Sequence, residues 1–298
     1  MAKAIPAASA AREAPVTNWW LHPVRVLNQS VVPRLILIVM CAVFILPLFW
    51  MVSVALKPTA ELSLYPPTFW PQQLRWENFS DAINVFPFWQ YLRNTSIITG
   101  LTVLGAVISN PIIAYGFSRI DWPGRDKVFF VVLATVFIPY PVLIIALFDI
   151  FARLGWINTF WPLTVPLFFG NPFWIFLLRQ FFMQISQEVS DAARIDGASE
   201  LRILFQIIMP QALPALAVVA LFAALHAWND FLGPLLYLQD ATMYTLAVGL
   251  TFFQSASQYD IQFNLLMAAS LLVVAPVITL FLIFQRAFVE GISFGGSK

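Results

Sequence analysis

Six long stretches of this chain, 32–56, 94–118, 128–152, 158–182, 213–237 and 265–289, each carry at most one Asp, Glu, Lys or Arg. A helix rises about 1.5 Å per residue, so roughly 20 apolar residues cross the hydrocarbon core of a bilayer. Lipid offers no partner to a backbone amide, so such stretches must be helical. The expected fold class is therefore an all-α membrane protein with six transmembrane helices. Composition agrees: 60% of the residues are hydrophobic and 10% charged, far from the balance of a soluble domain. A net charge of +1 with scattered basic residues gives no reason to expect a nucleic-acid partner. The one cysteine, Cys41, excludes an internal disulfide and a cysteine-based metal site.

Six spans put both termini on one side, and the distribution of Lys and Arg says which. Twelve basic residues fall on the side of the termini: Lys3, Arg12, Arg25, Arg34, Arg119, Arg125, Lys127, Arg179, Arg194, Arg202, Arg286 and Lys298. Only Lys57, Arg75, Arg93 and Arg153 fall on the other. Basic residues concentrate in cytoplasmic loops, so both termini are expected in the cytoplasm. Residues 1–31 contain Trp19, Trp20 and three prolines but no continuous apolar core. They read as a cytoplasmic tail and interfacial anchor, not as a cleaved signal. The six-span body is 32–289, with outer loops 57–93 and 238–264 and a cytoplasmic tail 290–298. Every span carries proline, which is compatible with bent helices lining a path and equally with the general frequency of proline in membrane helices. Within the fifth connection Thr245 to Phe253 is apolar but too short to span, and reads as an interfacial or re-entrant piece.

One island breaks the apolar pattern. Between Glu188 and Arg202 stand Glu188, Asp191, Arg194, Asp196, Glu200 and Arg202. A helix over 188–198 places Glu188, Asp191, Ile195 and Ala198 near one face. Gly197 supplies a permissive backbone where that helix turns. Leu201, Leu204, Phe205 and Ile208 then recur at helical spacing, and Pro210 closes the segment. By physics alone this is either an amphipathic connector, solvated on one face, or an acidic-tipped lever shaped for a basic groove on a cytoplasmic partner.

The pattern Asp191-Ala192-Ala193, Ile195-Asp196-Gly197-Ala198, then Phe205, Ile208 and Pro210 resembles the EAA loop of ABC-importer permeases, in particular the shorter sugar permease of the maltose-transporter type. Aspartate stands where the motif usually has its first glutamate. The likeness extends to Trp228–Phe231, Leu266–Ala269, Pro276 and the end from Gln285 to Gly295. The resemblance implies an ABC type I importer permease fold and a multi-pass subunit of the prokaryotic plasma (inner) membrane. It implies import of a sugar or oligosaccharide, and an assembly with a second permease subunit as a heterodimer, two ATPase subunits and an extracytoplasmic solute-binding protein. It further implies that the chain is not itself an enzyme and binds no cofactor, ATP and Mg residing on the ATPases. The EAA loop, 184–211, would then dock the ATPase through Glu188, Asp191, Ala192, Ala193, Asp196, Gly197 and Ala198. Asp191 would pair with a basic residue of the ATPase, and Ala192, Ala193 and Ala198 would fit its groove.

Other candidates are fewer. His226, Trp228, Asn229 and Asp230 stand in the outer half of the fifth window, where polar groups face a cavity or a partner helix. With Tyr140, between Pro139 and Pro141, they are candidates for the pathway or its gate. Asp149 and Arg153 have the spacing of a structural ion pair. The resemblance implies that Ser255, Ala256, Ser257, Gln258 and Tyr259 form the loop tip that meets the binding protein. The alternative function is a self-contained secondary transporter using His226 and Asp230, but the internal repeats and midplane relay expected of one are not visible. An intramembrane hydrolase would need an HExxH or a nucleophile-base pair, and His22 and His226 are the only histidines.

Overall fold

The computed structural model describes residues 31–255 and 262–293, without the side chains of 252, 254, 255 and 286–293. The chain divides into two compact units, Met1–Met51 and Val52–Lys298. Among the described residues every regular element is helical. Four helices are long and apolar enough to cross a membrane, and counting each of two bent pairs as one span gives up to six.

The first of these is α1, Val32–Ala55, apolar around its circumference, with Pro47 inside it. The second unit, from Val52, holds the remaining helices. Two short helices, α2 (Thr59–Leu62) and α3 (Glu77–Val85), lie in the first long connection, 57–93. They are fixed by Asn78, fully buried, whose Nδ2 donates to the carbonyls of Ala55 and Lys57 at 2.8 Å. Helix α4, Phe88–Ser118, follows and runs unbroken for 31 residues.

Helix α4 is inside-out relative to a soluble helix. Ile97, Leu101, Leu104, Ile108 and Ile112 are exposed, while Asn94, Thr95, Thr99, Thr102, Ser109 and Asn110 are buried. In lipid there is no gain from hiding leucine, so polar and small residues turn toward neighbouring protein. Four of them, Asn94, Thr95, Ser109 and Asn110, bond neighbouring segments there, because the helices packed around α4 are broken. The window 128–152, expected as one span, is instead α5 (Arg125–Ala134), a short 3₁₀ turn and α6 (Tyr140–Arg153), bent by 99°. Pro139 is the cause: it lacks an N–H and pushes Ile138 into extended backbone, φ −80° and ψ 112°. The next window is also interrupted. Helix α7 (Trp161–Thr164) passes through a 3₁₀ stretch, Val165–Phe169, and a break at Gly170 before α8 (Pro172–Gln184).

Irregular backbone at membrane depth survives only where protein satisfies it, and α4 supplies the partners. Ser109 Oγ donates to Leu167 O at 3.1 Å, and Asn110 Oδ1 accepts the Asn171 amide at 2.7 Å. Gly170 sits at φ +95°, and a Cβ there would stand 2.6 Å from Ile113 Cδ1, so only glycine fits.

Beyond the charged segment, α11 (Leu213–Trp228) and α12 (Leu232–Tyr237) occupy the fifth window as two pieces. Helix α13 (Leu246–Ser255) is the short apolar piece of the fifth connection, with Leu246, Val248 and Phe253 buried. Helix α14, Phe263–Ser293, continues beyond the expected end of the last window. Pro47, Pro111 and Pro276 lie within helices, whereas Pro141, Pro162, Pro166, Pro172 and Pro214 stand at helix starts, where no amide bond is lost.

Candidate functional site

The charged island forms two short helices joined by a tight turn. Helix α9, Gln187–Ile195, starts at Ser186, whose Oγ accepts the Glu188 amide at 3.3 Å. Glu188 in its first turn and Arg194 in its last both suit the helix dipole. It ends in a Schellman motif: the Ala198 amide bonds Ala193 O at 2.9 Å and the Gly197 amide bonds Arg194 O at 3.0 Å. Gly197 takes the left-handed position, φ +81°, with open space where a Cβ would stand. Helix α10, Glu200–Gln211, then leaves the turn and meets α11 at 85°. Its N-cap is Ser199, whose Oγ accepts the Arg202 amide at 3.4 Å. A π-turn over Leu204–Ile208 widens its second half, and Pro210 lies within the helix, which ends at Ala212.

A set of hydrogen bonds that the sequence pattern does not announce fixes this hairpin to the end of α4. Arg119, 4% exposed, donates to the carbonyls of Phe182, Ile185 and Ser186 and to Gln187 Oε1. One guanidinium thus gathers carbonyls at the C-terminus of α8, of which Phe182 O also accepts the Ile185 amide, and holds the entry to α9. Arg194 grips Glu200 with two nitrogens, at 2.7 and 3.3 Å, reaches Asp191 Oδ1 at 2.6 Å and donates to Arg119 O at 3.2 Å. Tyr115 donates its hydroxyl to Glu200 Oε2. The Arg194 guanidinium holds the Glu200 carboxyl below the usual carboxylate range, chiefly through their hydrogen bond, against the opposing effect of burial. Burial pushes the Arg119 guanidinium down from its ordinary value. Nearby, Arg179 bonds Phe117 O and Asp126 while lying 4.2 Å over the Phe129 ring.

This brace sorts the expected docking residues into two sets. Glu188, Asp191, Ala192, Asp196 and Gly197 face outward. So do Ile195, 86% exposed, and Leu201, 60% exposed. Ala193 does not: it is buried in the chain's own core, and Ala198 packs against the same cluster. Successive helical residues point about 100° apart, so Ala192 and Ala193 cannot both face a groove. Asp191, expected to pair with a partner's basic residue, already pairs with Arg194, though more than half of its side chain remains accessible. The outward surface is thus a mixed one, acidic at Glu188, Asp191 and Asp196 and apolar at Ile195 and Leu201.

A family model described as "Binding-protein-dependent transport system inner membrane component" matches residues 103–294, which include the whole of this hairpin. The chain belongs to that family. Among curated relatives, the arabinooligosaccharides transport system permease protein AraQ of Halalkalibacterium halodurans is 32% identical over 85% of this chain and 91% of its own. The trehalose/maltose transport system permease protein MalG of Thermococcus litoralis is 32% identical over 91% of this chain and 99% of its own. In fold the chain is similar to a bacterial ABC transporter of known crystal structure involved in import of the acidic polysaccharide alginate. That match has a TM-score of 0.73 and 23% identity, and covers 92% of this chain and 99% of the other.

Elsewhere in this transport-system component, the expected pathway residues divide: Asp230 lies within electrostatic reach of His226 and Tyr140, whereas Trp228 is turned into the packed interior. Trp228 is buried, and its Nε1 donates to Val273 O at 3.0 Å, so its ring packs α11 against α14 instead of facing a path. Asn229 and Asp230 stand at the break between α11 and α12: Asn229 bonds back to Leu225 O, and Asp230 Oδ1 accepts the Gly233 amide at 3.1 Å. His226 lies on the exposed side of α11 and meets Trp174 edge-on. Tyr140, at the head of α6, has its hydroxyl 3.2 Å from that of Tyr237, which is fully buried among Phe148 and Phe151. Asp149 and Arg153 form an exposed pair at 2.8 Å. Ser255 is the last residue of α13. Ala256, Ser257, Gln258 and Tyr259 lie outside the described residues.

Proposed function

We propose that this chain is the transmembrane permease subunit of an ATP-driven, binding-protein-dependent importer for a sugar or oligosaccharide, and that residues 184–211 dock its ATPase. The observation that carries the docking assignment is the exposed Ile195–Leu201 face, mounted on a brace of the buried Arg119 and the half-buried Arg194 and Glu200. A solvated connector has no need of a rigid buried guanidinium at its root, whereas a surface that transmits force does. Its exposed isoleucine and leucine suit the apolar centre of a protein contact, with Glu188, Asp191 and Asp196 as the polar rim.

Relatives named for arabino-oligosaccharide and trehalose/maltose transport support the substrate class. A similar fold occurs in an alginate transporter described in complex with a pentasaccharide-bound periplasmic protein, which supports a solute-binding partner. Six spans follow if each bent pair crosses once, and the twelve-to-four distribution of basic residues then puts both termini and the docking loop in the cytoplasm. In this reading the chain is non-catalytic, ATP and Mg act on the ATPase subunits, and a second permease completes the path. Residues 1–31 and 290–298 are the cytoplasmic tails, and the membrane is the prokaryotic inner membrane.

The test is isolation of the tagged chain from native membranes with identification of what accompanies it. A second permease and an ATPase are expected, with the ATPase lost and the permease retained in Ile195→Asp. Gly197→Asp should insert normally and also retain less ATPase. A chain found alone and active in vesicles without ATP would overturn the reading.

A further inference from the structure

Helix α4 holds the irregular backbone of its neighbours at three levels. At one end Tyr115 and Arg119 hold the docking hairpin. In the middle Ser109 and Asn110 hold the break between α7 and α8. At the other end Asn94 Nδ2 donates to the carbonyls of Thr242 and Tyr244, at 2.8 and 3.0 Å, and Gln90 also reaches Thr242 O. Thr95 Oγ1 accepts the Leu246 amide at 2.9 Å while donating to Tyr91 O. Gly249 approaches so closely that a Cβ would stand 2.6 Å from the Tyr91 ring.

We propose that α4 is a strut through which the docking hairpin and the segment Thr242–Gly249, at the base of the loop after α12, move as one. This rests on the reading of residues 184–211 as the ATPase-docking loop, and adds where its motion arrives. Thr95 and Tyr115 are 20 residues apart on one helix, about 30 Å, the depth of the hydrocarbon core. Asn94 is 1% exposed, and Thr95 and Leu246 are buried, so the Leu246 amide has no water to fall back on if Thr95 leaves it. Displacing one end of α4 without the other would therefore break buried hydrogen bonds. Pro111 removes one rung of the helix, but at the level where Ser109 and Asn110 are tied to the neighbouring segment, so that rung is held from outside. In these terms Tyr115, Arg119, Asn94 and Thr95 are positioning residues: they act through the segments they hold. A ligand protein engaging the outer loop would in this way be registered at the ATPase loop, and the reverse, since coupling between two sites is reciprocal.

Amide hydrogen exchange on the full chain in lipid nanodiscs tests this without any partner. Tyr115→Phe removes only the hydroxyl that reaches Glu200, and Thr95→Val removes only the acceptor of the Leu246 amide. Each should speed exchange at the opposite end, at Leu246 and Gly249 for the first and at Gly197 and Ala198 for the second, by about fivefold, the size expected for one hydrogen bond. Thr95→Ser, which keeps the acceptor, should exchange like the parent. Effects confined to the mutated end in both variants would overturn the strut, and if either variant fails to fold the other decides. Absence of an ATPase in the isolation experiment would instead remove the function reading while leaving the exchange result standing.

Discussion

Gly197 gives the sharpest test of how the docking hairpin is built. Its φ of +81° lies in the left-handed region, and nothing stands within 4 Å of the place a Cβ would take. Substitution there meets no steric obstacle from the chain, so the cost is that of the backbone conformation alone. For alanine that is about 1–2 kcal/mol, whereas asparagine tolerates the region through its short polar side chain. The penalty falls on the closed Schellman turn, so the open population rises about 5- to 30-fold in Gly197→Ala. Exchange of the amides of residues 197 and 198, which bond Arg194 O and Ala193 O, reads that population directly. The expected order of exchange rates is glycine slowest, then asparagine within about threefold, then alanine, with Gly197→Val fastest because its branched Cβ disfavours the region further. Docking of the ATPase should follow the same order. Asparagine behaving worse than alanine would show that side-chain volume, not φ, is what the position excludes, and would refute the reasoning.

Three further outcomes follow from the geometry. Arg119→Ala removes the side-chain donor shared by the Phe182, Ile185 and Ser186 carbonyls and Gln187 Oε1 and should destabilise the chain by about 1–3 kcal/mol, seen as a lower thermal midpoint; Arg119→Lys should recover only part, because an ammonium cannot fork across the same acceptors. The Glu200 carboxyl is held below its unfolded value, so its contribution is present above the unfolded pKa and is lost as pH falls through the folded one. The thermal midpoint should accordingly drop more steeply below about pH 4.3 in the parent than in Glu200→Gln. Trp228→Phe keeps the ring but loses the bond to Val273 O and should cost about 1–3 kcal/mol while leaving substrate affinity unchanged, an outcome that a sugar-stacking tryptophan would not give.

The sequence by itself determined the class of solvent and the place of the charged hairpin. Long charge-poor windows can only be membrane helices, because lipid leaves a backbone no other choice. A dense charged island between two of them can only lie outside the bilayer, and Gly197 marked its turn because an unbranched backbone position is chemically distinct. Periodicity cannot show which proline bends a span and which merely opens a helix, since both look alike in one dimension. Pro139 folds its window to 99°, yet Pro172 begins a regular helix. The partition of Ala192 outward and Ala193 inward, and the recruitment of Tyr115 and Arg119 from more than 60 residues away, were decided only by tertiary packing. A buried guanidinium is identified by the acceptors gathered around it, and the Phe182, Ile185 and Ser186 carbonyls that gather around Arg119 belong to backbone, which carries no letter of its own in a sequence.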